Sequence, residues 1–259
     1  MTSQVIAAMH HGIKAAEAGA GPDAAVGGAG PDRATTVREA AWVALGHVLD
    51  PELDQPITEL GFVAGLWITH DHAVRVELRL PTYFCAPNFA WLMVADARDV
   101  LAALPGAGRV DVVLLDHFAA DEINAGVAAA SGFGDGFATD GGDPELAELR
   151  AVFERKAQVA AQERLARALG PHLSERLTLA EAARIAPGAT AAVVRRRERL
   201  GLVSEFAVCD DQGAAVAADR LPGWLRFART VRVSVEGNAT LCRGLLETRY
   251  GLTPSPGGP

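Results

Sequence analysis

Cys85 is the residue to weigh first. It ends the stretch Leu80-Pro81-Thr82-Tyr83-Phe84, which reads as a β-strand running out, and a helix is predicted from about Pro87 to Leu104. A cysteine at such a junction meets the unpaired backbone N–H groups and the positive dipole end of the helix, and both favour thiolate over thiol. A thiolate binds soft metals and attacks electrophiles, whereas a cysteine walled in by hydrocarbon is inert. Position alone leaves both fates open. The other cysteines, Cys209 and Cys242, form no C-x-x-C pair with it or with each other, so neither a disulfide framework nor a self-contained zinc or four-thiolate cluster site can be read. Cys242 is a further candidate metal ligand should its helix pack against the unit that carries Cys85; otherwise it is a core residue, as is Cys209. A metal on Cys85 then needs ligands from another chain or from a small thiol.

The histidines add little at this level. His10 and His11 are adjacent, so on a helix they point roughly 100° apart and do not make the i, i+4 pair a metal prefers. His70 and His72 fall at a predicted hairpin tip. A Cys–His dyad needs His117 or His47 to approach Cys85, and there is no G-x-S-x-G elbow, H-E-x-x-H pair or Rossmann glycine pattern, so an enzyme is not expected.

The elements that must position Cys85 can be read from periodicity. Thr36 and Glu39 make a capping box, and Val37, Ala41, Ala44, Leu45 and Val48 recur at helical spacing up to Asp50, where Pro51 disfavours helix in the residue before it. Asp50, Pro51 and Glu52 form an acidic turn, and Glu52, Asp54 and Glu59 read as a solvated loop. From Phe62 to Leu80 the period becomes two, with Arg75, Glu77 and Arg79 facing water, and this predicts an antiparallel hairpin with one covered face. The helix after Cys85, with Pro87 in its first turn, presents Leu92, Met93, Ala97 and Leu101 to a core, and Val110 to Leu115 is a short strand. The order helix, hairpin, helix, strand predicts an α+β fold, a small mixed sheet with helices on one face, followed by a mainly helical C-terminal unit. The boundaries expected are a leader over 1–34, the α+β domain over 35–125, a Gly-rich linker over 126–143, the helical unit over 144–250 and a tail over 251–259.

Charge divides the chain in the same way. Residues 35–125 hold five arginines and no lysine against thirteen carboxylates, whereas 126–259 hold seventeen basic and sixteen acidic residues. The acidic first part repels a phosphate backbone, which argues against nucleic acid as its partner. No apolar run nears the ~20 residues that cross a bilayer, and no leader pattern opens the chain, so a cytoplasmic protein without a membrane partner is expected.

Asp50-Pro51-Glu52-Leu53, then Glu59-Leu60-Gly61-Phe62-Val63, a hairpin, a cysteine opening a helix, and Val110 to Asp116 together resemble the small iron–sulfur cluster assembly domain of SufT-like proteins. The eukaryotic cytosolic cluster-targeting factors and the D component of phenylacetate degradation clusters carry a similar domain. The resemblance covers about residues 35–125. It implies that Cys85 is the functional cysteine, that Asp50, Glu52 and Glu59 are the matching acidic positions, and that Thr82 and Pro87 support the cysteine loop. Pro81 stands where the family usually has threonine, and His117, Phe118 and Ala119 follow the last strand where tryptophan and proline are frequent, which points to a specialised branch. By analogy the cargo is iron or an Fe–S cluster held transiently. The partner is a client metalloprotein, with multicomponent oxygenases carrying dinuclear iron as one class, and a homodimer sharing one cluster is a further arrangement.

The second half offers a different reading. Glycines 132, 134, 136, 141 and 142 read as a hinge. Pro144 to Leu169 is a long amphipathic helix with Leu146, Leu149, Val152, Phe153, Val159 and Leu165 on its apolar side. Residues 178–203 resemble a helix-turn-helix whose second helix, Ala191 to Leu200, carries Arg195, Arg196, Arg197 and Arg199, so a DNA-binding regulator is the alternative function. A pair of amphipathic helices with a solvated arginine face is the reading preferred. The end of the chain is predicted as a helix over Trp224 to Ala228, a strand over Val231 to Val235, a turn at Glu236 to Asn238 and a closing helix that bears Cys242.

Overall fold

The computed structural model describes residues 33–129 and 144–251. The leader with His10 and His11, most of the Gly-rich segment and nearly all of the tail lie outside the described residues. Helix α1 (Arg33–Leu45) is followed by two short strands, β1 (Leu49–Asp50) and β2 (Gln55–Pro56), which pair antiparallel. Next come β3 (Val63–Ile68), β4 (Val74–Arg79), α2 (Pro87–Ala102), β5 (Val110–Leu115) and α3 (Ala120–Ala128). The sheet order is β3-β4-β5, with β4 antiparallel to β3 and parallel to β5, so the fold is the mixed α+β arrangement that the periodicity predicts. Val74, Val76 and Leu78 on β4 point into one core, while Arg75 stays exposed between Asp111 and Glu77.

Several expectations fail for local reasons. Helix α1 begins at Arg33, so Thr36 and Glu39 lie inside it and form no capping box. It stops at Leu45, where the Gly46 N–H bonds the carbonyls of Trp42 and Val43 and the chain leaves the helix. Pro51 still acts on its neighbour, since Asp50 is extended in β1. Strand β4 ends at Arg79, and Pro81, which has no N–H to donate, leads into a turn at Tyr83 and Phe84 rather than extended chain up to Cys85. Helix α3 is hidden in an alanine-rich stretch. Its Ile123 and Val127 are buried one turn apart, and Asn124 bonds both the N–H and the C=O of Leu114 at 2.8 and 3.0 Å, closing backbone groups of β5.

Beyond the Gly-rich segment, α4 (Pro144–Leu169) ends in a 3-10 turn (Gly170–His172), and α5 (Leu179–Ile185) and α6 (Pro187–Leu200) precede α7 (Leu221–Tyr250). Thr178 and Glu181 form a capping box on α5. In α4 the expected apolar stripe is interrupted: Val152 is exposed, and the buried positions include Gln158, Gln162 and Glu163. The largest correction concerns α7, one continuous helix of 30 residues where a strand and a turn are expected. The alternating Val231, Val233 and Val235 imitate a strand, but burial falls on Ala228, Arg232, Val235, Ala239 and Leu246, which recur at helical spacing. Leu146, Ala239 and Leu246 join the same core as α1, α2 and the sheet.

Candidate functional site

Cys85 lies one residue before Ala86, the N-cap of α2, and Pro87 takes the first helical position, where a missing N–H costs nothing. The thiol is half-buried, and the Thr82 hydroxyl sits 3.3 Å from its Sγ. The loop is held from below by His117. The His117 ring is buried, its Nε2 is 2.8 Å from the Cys85 carbonyl and its Nδ1 is 3.2 Å from the Ala119 N–H. A carbonyl only accepts and an amide N–H only donates, so both bonds require neutral imidazole with the proton on Nε2. The Phe118 N–H adds a bond to the Tyr83 carbonyl at 3.1 Å. His117 therefore positions the cysteine backbone and makes no bond to sulfur. His47 bonds Val43 O, one turn back in α1. The cysteine loop carries an aromatic collar: Tyr83, Phe84 and Phe118 are exposed, Phe84 at 77%, and their ring centroids lie 5.1 to 6.4 Å apart.

The acidic turn is tightly built. Asp50 Oδ1 accepts from the N–H groups of Glu52 and Leu53 at 2.9 and 2.8 Å. Burial nevertheless outweighs those bonds and pushes the Asp50 carboxyl up to about 6. The solvated-loop reading does not hold for two of its three acids. Glu52 accepts from Asn238 Nδ2 at 3.2 Å, and Asp54, at a positive φ of 52°, is ion-paired with Arg196, its side chain only 5% exposed. Glu59 alone is exposed.

Helix α7 ties these parts together through one face. Asn238 meets Glu52, Arg243 Nη2 donates to Gln55 Oε1, and Leu246 covers Gly61. Arg249 donates to the carbonyls of Leu80 and Asp116 at 3.3 and 2.8 Å, and the Tyr250 ring lies 5.0 Å from the guanidinium of Arg79, which is thereby covered rather than facing open water. Gly61 has φ +78°, and a Cβ there would stand 3.2 Å from Leu246 Cδ2, so backbone and packing both call for glycine in the Leu-Gly pair. Cys242 sits on this face, half-buried. Burial first, then the nearby charges of Asp50, Cys85 and Glu52, hold its thiol up to about 11. Cys209 is buried, and its N–H bonds Gln162 Oε1 at 2.7 Å.

Helix α7 thus runs from the acidic turn to the ends of β4 and β5, with Cys242 between those contacts, while Glu59 stays exposed and the hairpin-tip histidines lie apart, at the turn after β3. Among the described residues no group of three or more His, Cys, Asp or Glu side chains is set to hold a metal, and no helix is long and apolar enough to cross a membrane. Sequence reasoning missed Asn238, Arg243 and Arg249. Their spacing along the α7 stripe is a usable signal only once 221–250 is taken as one helix.

In 178–203 the arginines diverge. Arg197 is buried and bonds Gln162 Oε1, Phe206 O and Ala207 O, and Arg196 is committed to Asp54, which leaves Arg195 and Arg199 exposed. No curated protein and no solved structure matches the chain. Residues 38–112 match the family model described as iron–sulfur cluster assembly protein. The segment that carries the acidic turn, the hairpin and Cys85 is accordingly a domain of the iron–sulfur cluster assembly family.

Proposed function

We propose that this protein takes up iron or an Fe–S cluster at Cys85 and delivers it to a client metalloprotein, with dinuclear-iron oxygenases as the client class the resemblance suggests. The observation that carries this reading is the setting of Cys85: half-buried, within 3.3 Å of a hydroxyl, on a loop stapled by His117. A thiolate here accepts the Thr82 O–H and binds iron, a soft-ligand metal, far better than magnesium or calcium. A chain that supplies fewer thiolates than the cargo's full ligand set holds it loosely enough to release it, and no catalytic step is required. The exposed Tyr83, Phe84 and Phe118 surround the sulfur with apolar surface, which suits a client whose metal pocket is rimmed by apolar side chains.

Anaerobic reconstitution of the full chain with ferrous iron and sulfide tests this. Wild type is expected to develop sulfur-to-iron charge-transfer absorbance, and Cys85→Ser to lose it while keeping its far-UV circular dichroism. Equal absorbance in both proteins removes Cys85 from the mechanism.

A further inference from the structure

The assembly domain and α7 each carry one half-buried cysteine, Cys85 and Cys242. Residues 238, 242, 246 and 249 follow one another at three- and four-residue spacing, so they lie along one face of α7. Three of them are fixed by contacts: Asn238 to Glu52, Leu246 against Gly61, and Arg249 to the carbonyls at the end of β4 and of β5. Asp116, which receives Arg249, precedes the His117 that holds the Cys85 carbonyl. Cys242 is therefore bracketed by residues anchored at the acidic turn on one side and at the root of the cysteine loop on the other. Both sulfurs pack against the same core. After burial, the charges of Asp50, Cys85 and Glu52 act on the Cys242 thiol.

We infer that Cys242 is the second thiolate for the cargo of Cys85, so that the chain clamps a thiophilic metal between its assembly domain and its last helix. The inference rests on the proposed role of Cys85 and adds what α7 does for it. As the metal binds, each thiol releases its proton to solvent and each sulfur bonds the metal, with no change of oxidation state. The cation also relieves the repulsion between two thiolates and the carboxylates of Asp50 and Glu52. Two protein sulfurs are half of a four-thiolate set, so two positions remain for small thiols or for the client, as handover demands.

Cobalt(II), titrated anaerobically into the full chain, reads the ligand set directly, because thiolate-to-cobalt charge-transfer intensity scales with the number of bound sulfurs. Wild type is expected to show the intensity of two sulfurs per cobalt, and Cys242→Ser and Cys85→Ser each about half of it or less, with affinity weakened at least tenfold. A Cys242→Ser protein with the wild-type spectrum overturns the inference and leaves the role of Cys85 standing. Unchanged spectra in both variants overturn both. Wild type alone supplies a second measurement: saturating cobalt is expected to protect both Cys85 and Cys242 from iodoacetamide, read by peptide mass. Protection of Cys85 without Cys242 refutes the clamp.

Discussion

Among the described residues of the first region, 33–129, those buried as a whole are apolar, with Asp50 and His117 as the polar exceptions. The second, 144–251, buries Gln158, Gln162, Glu163, Thr190, Arg197 and Arg232. Both exceptions in the first region lie in the site: Asp50 forms the acidic turn and His117 holds the cysteine loop. In the second region four of these six, Gln162, Glu163, Arg197 and Arg232, join helices to one another. Arg232 of α7 pairs with Glu163 of α4 and with Glu236 on its own helix, and Arg197 of α6 reaches Gln162 of α4. Polarity is concentrated at a site in one region and spent on assembly in the other.

The largest effect is expected where that second use is broken. Arg232→Met leaves the Glu163 carboxylate buried without its partner and should destabilise the fold by about 3–5 kcal/mol in urea unfolding, whereas adding Glu163→Leu should recover much of the loss. A single variant no less stable than wild type would dissolve the contrast between the regions.

Asp50 sharpens the other side. Its carboxyl titrates near 6 in the fold and at ~3.9 in an unfolded chain, so between those values the native state holds the extra proton. Stability should therefore be full below pH 4 as far as this group is concerned and fall as pH rises to 6, by about 3 kcal/mol across the window. The substitution Asp50→Asn keeps the oxygen that accepts from Glu52 and Leu53 and removes the charge, so the urea midpoint of the variant should lose that slope and exceed wild type above pH 6. The same slope in both proteins would assign the titration elsewhere.

His117→Ala comes next. It strips the Cys85 carbonyl and the Ala119 N–H of buried partners, a cost of about 1–3 kcal/mol. Hydrogen exchange should quicken at Tyr83 to Cys85 more than along β4, since the staple acts on the loop. Uniform quickening would make His117 an ordinary core residue.

These two uses of polarity also decide what could be read from the sequence. The hairpin, α2 and β5 were legible because apolar residues keep a clean period of two or 3.6 through a hydrocarbon core, and Pro87 marks its helix start. In α7 the same reasoning fails, because Arg232 is inside and Val233 outside, so the hydrophobic alternation runs against the burial. The cysteine and the acidic turn were visible as residue types in order. The grip of α7 on them was not, since Asn238–Glu52 and Arg249–Asp116 join residues more than a hundred positions apart.

The smallest effect separates the exposed arginines of α6 from the buried one. Arg195 and Arg199 touch solvent, and replacing both by alanine should move stability by no more than about 0.5 kcal/mol, whereas Arg197→Ala takes a donor from Gln162, which keeps Cys209, and from the carbonyls of Phe206 and Ala207. A recognition helix needs its cations free, and here Arg196 serves Asp54 and Arg197 serves the fold. The full chain is accordingly expected to show no duplex DNA retention at low salt that the Arg195→Ala, Arg199→Ala pair abolishes. Retention with a salt slope that drops by about two in the pair would restore a phosphate-binding role to α6. It would also mean that an acidic molecule can present a working basic face with half of its arginines turned inward.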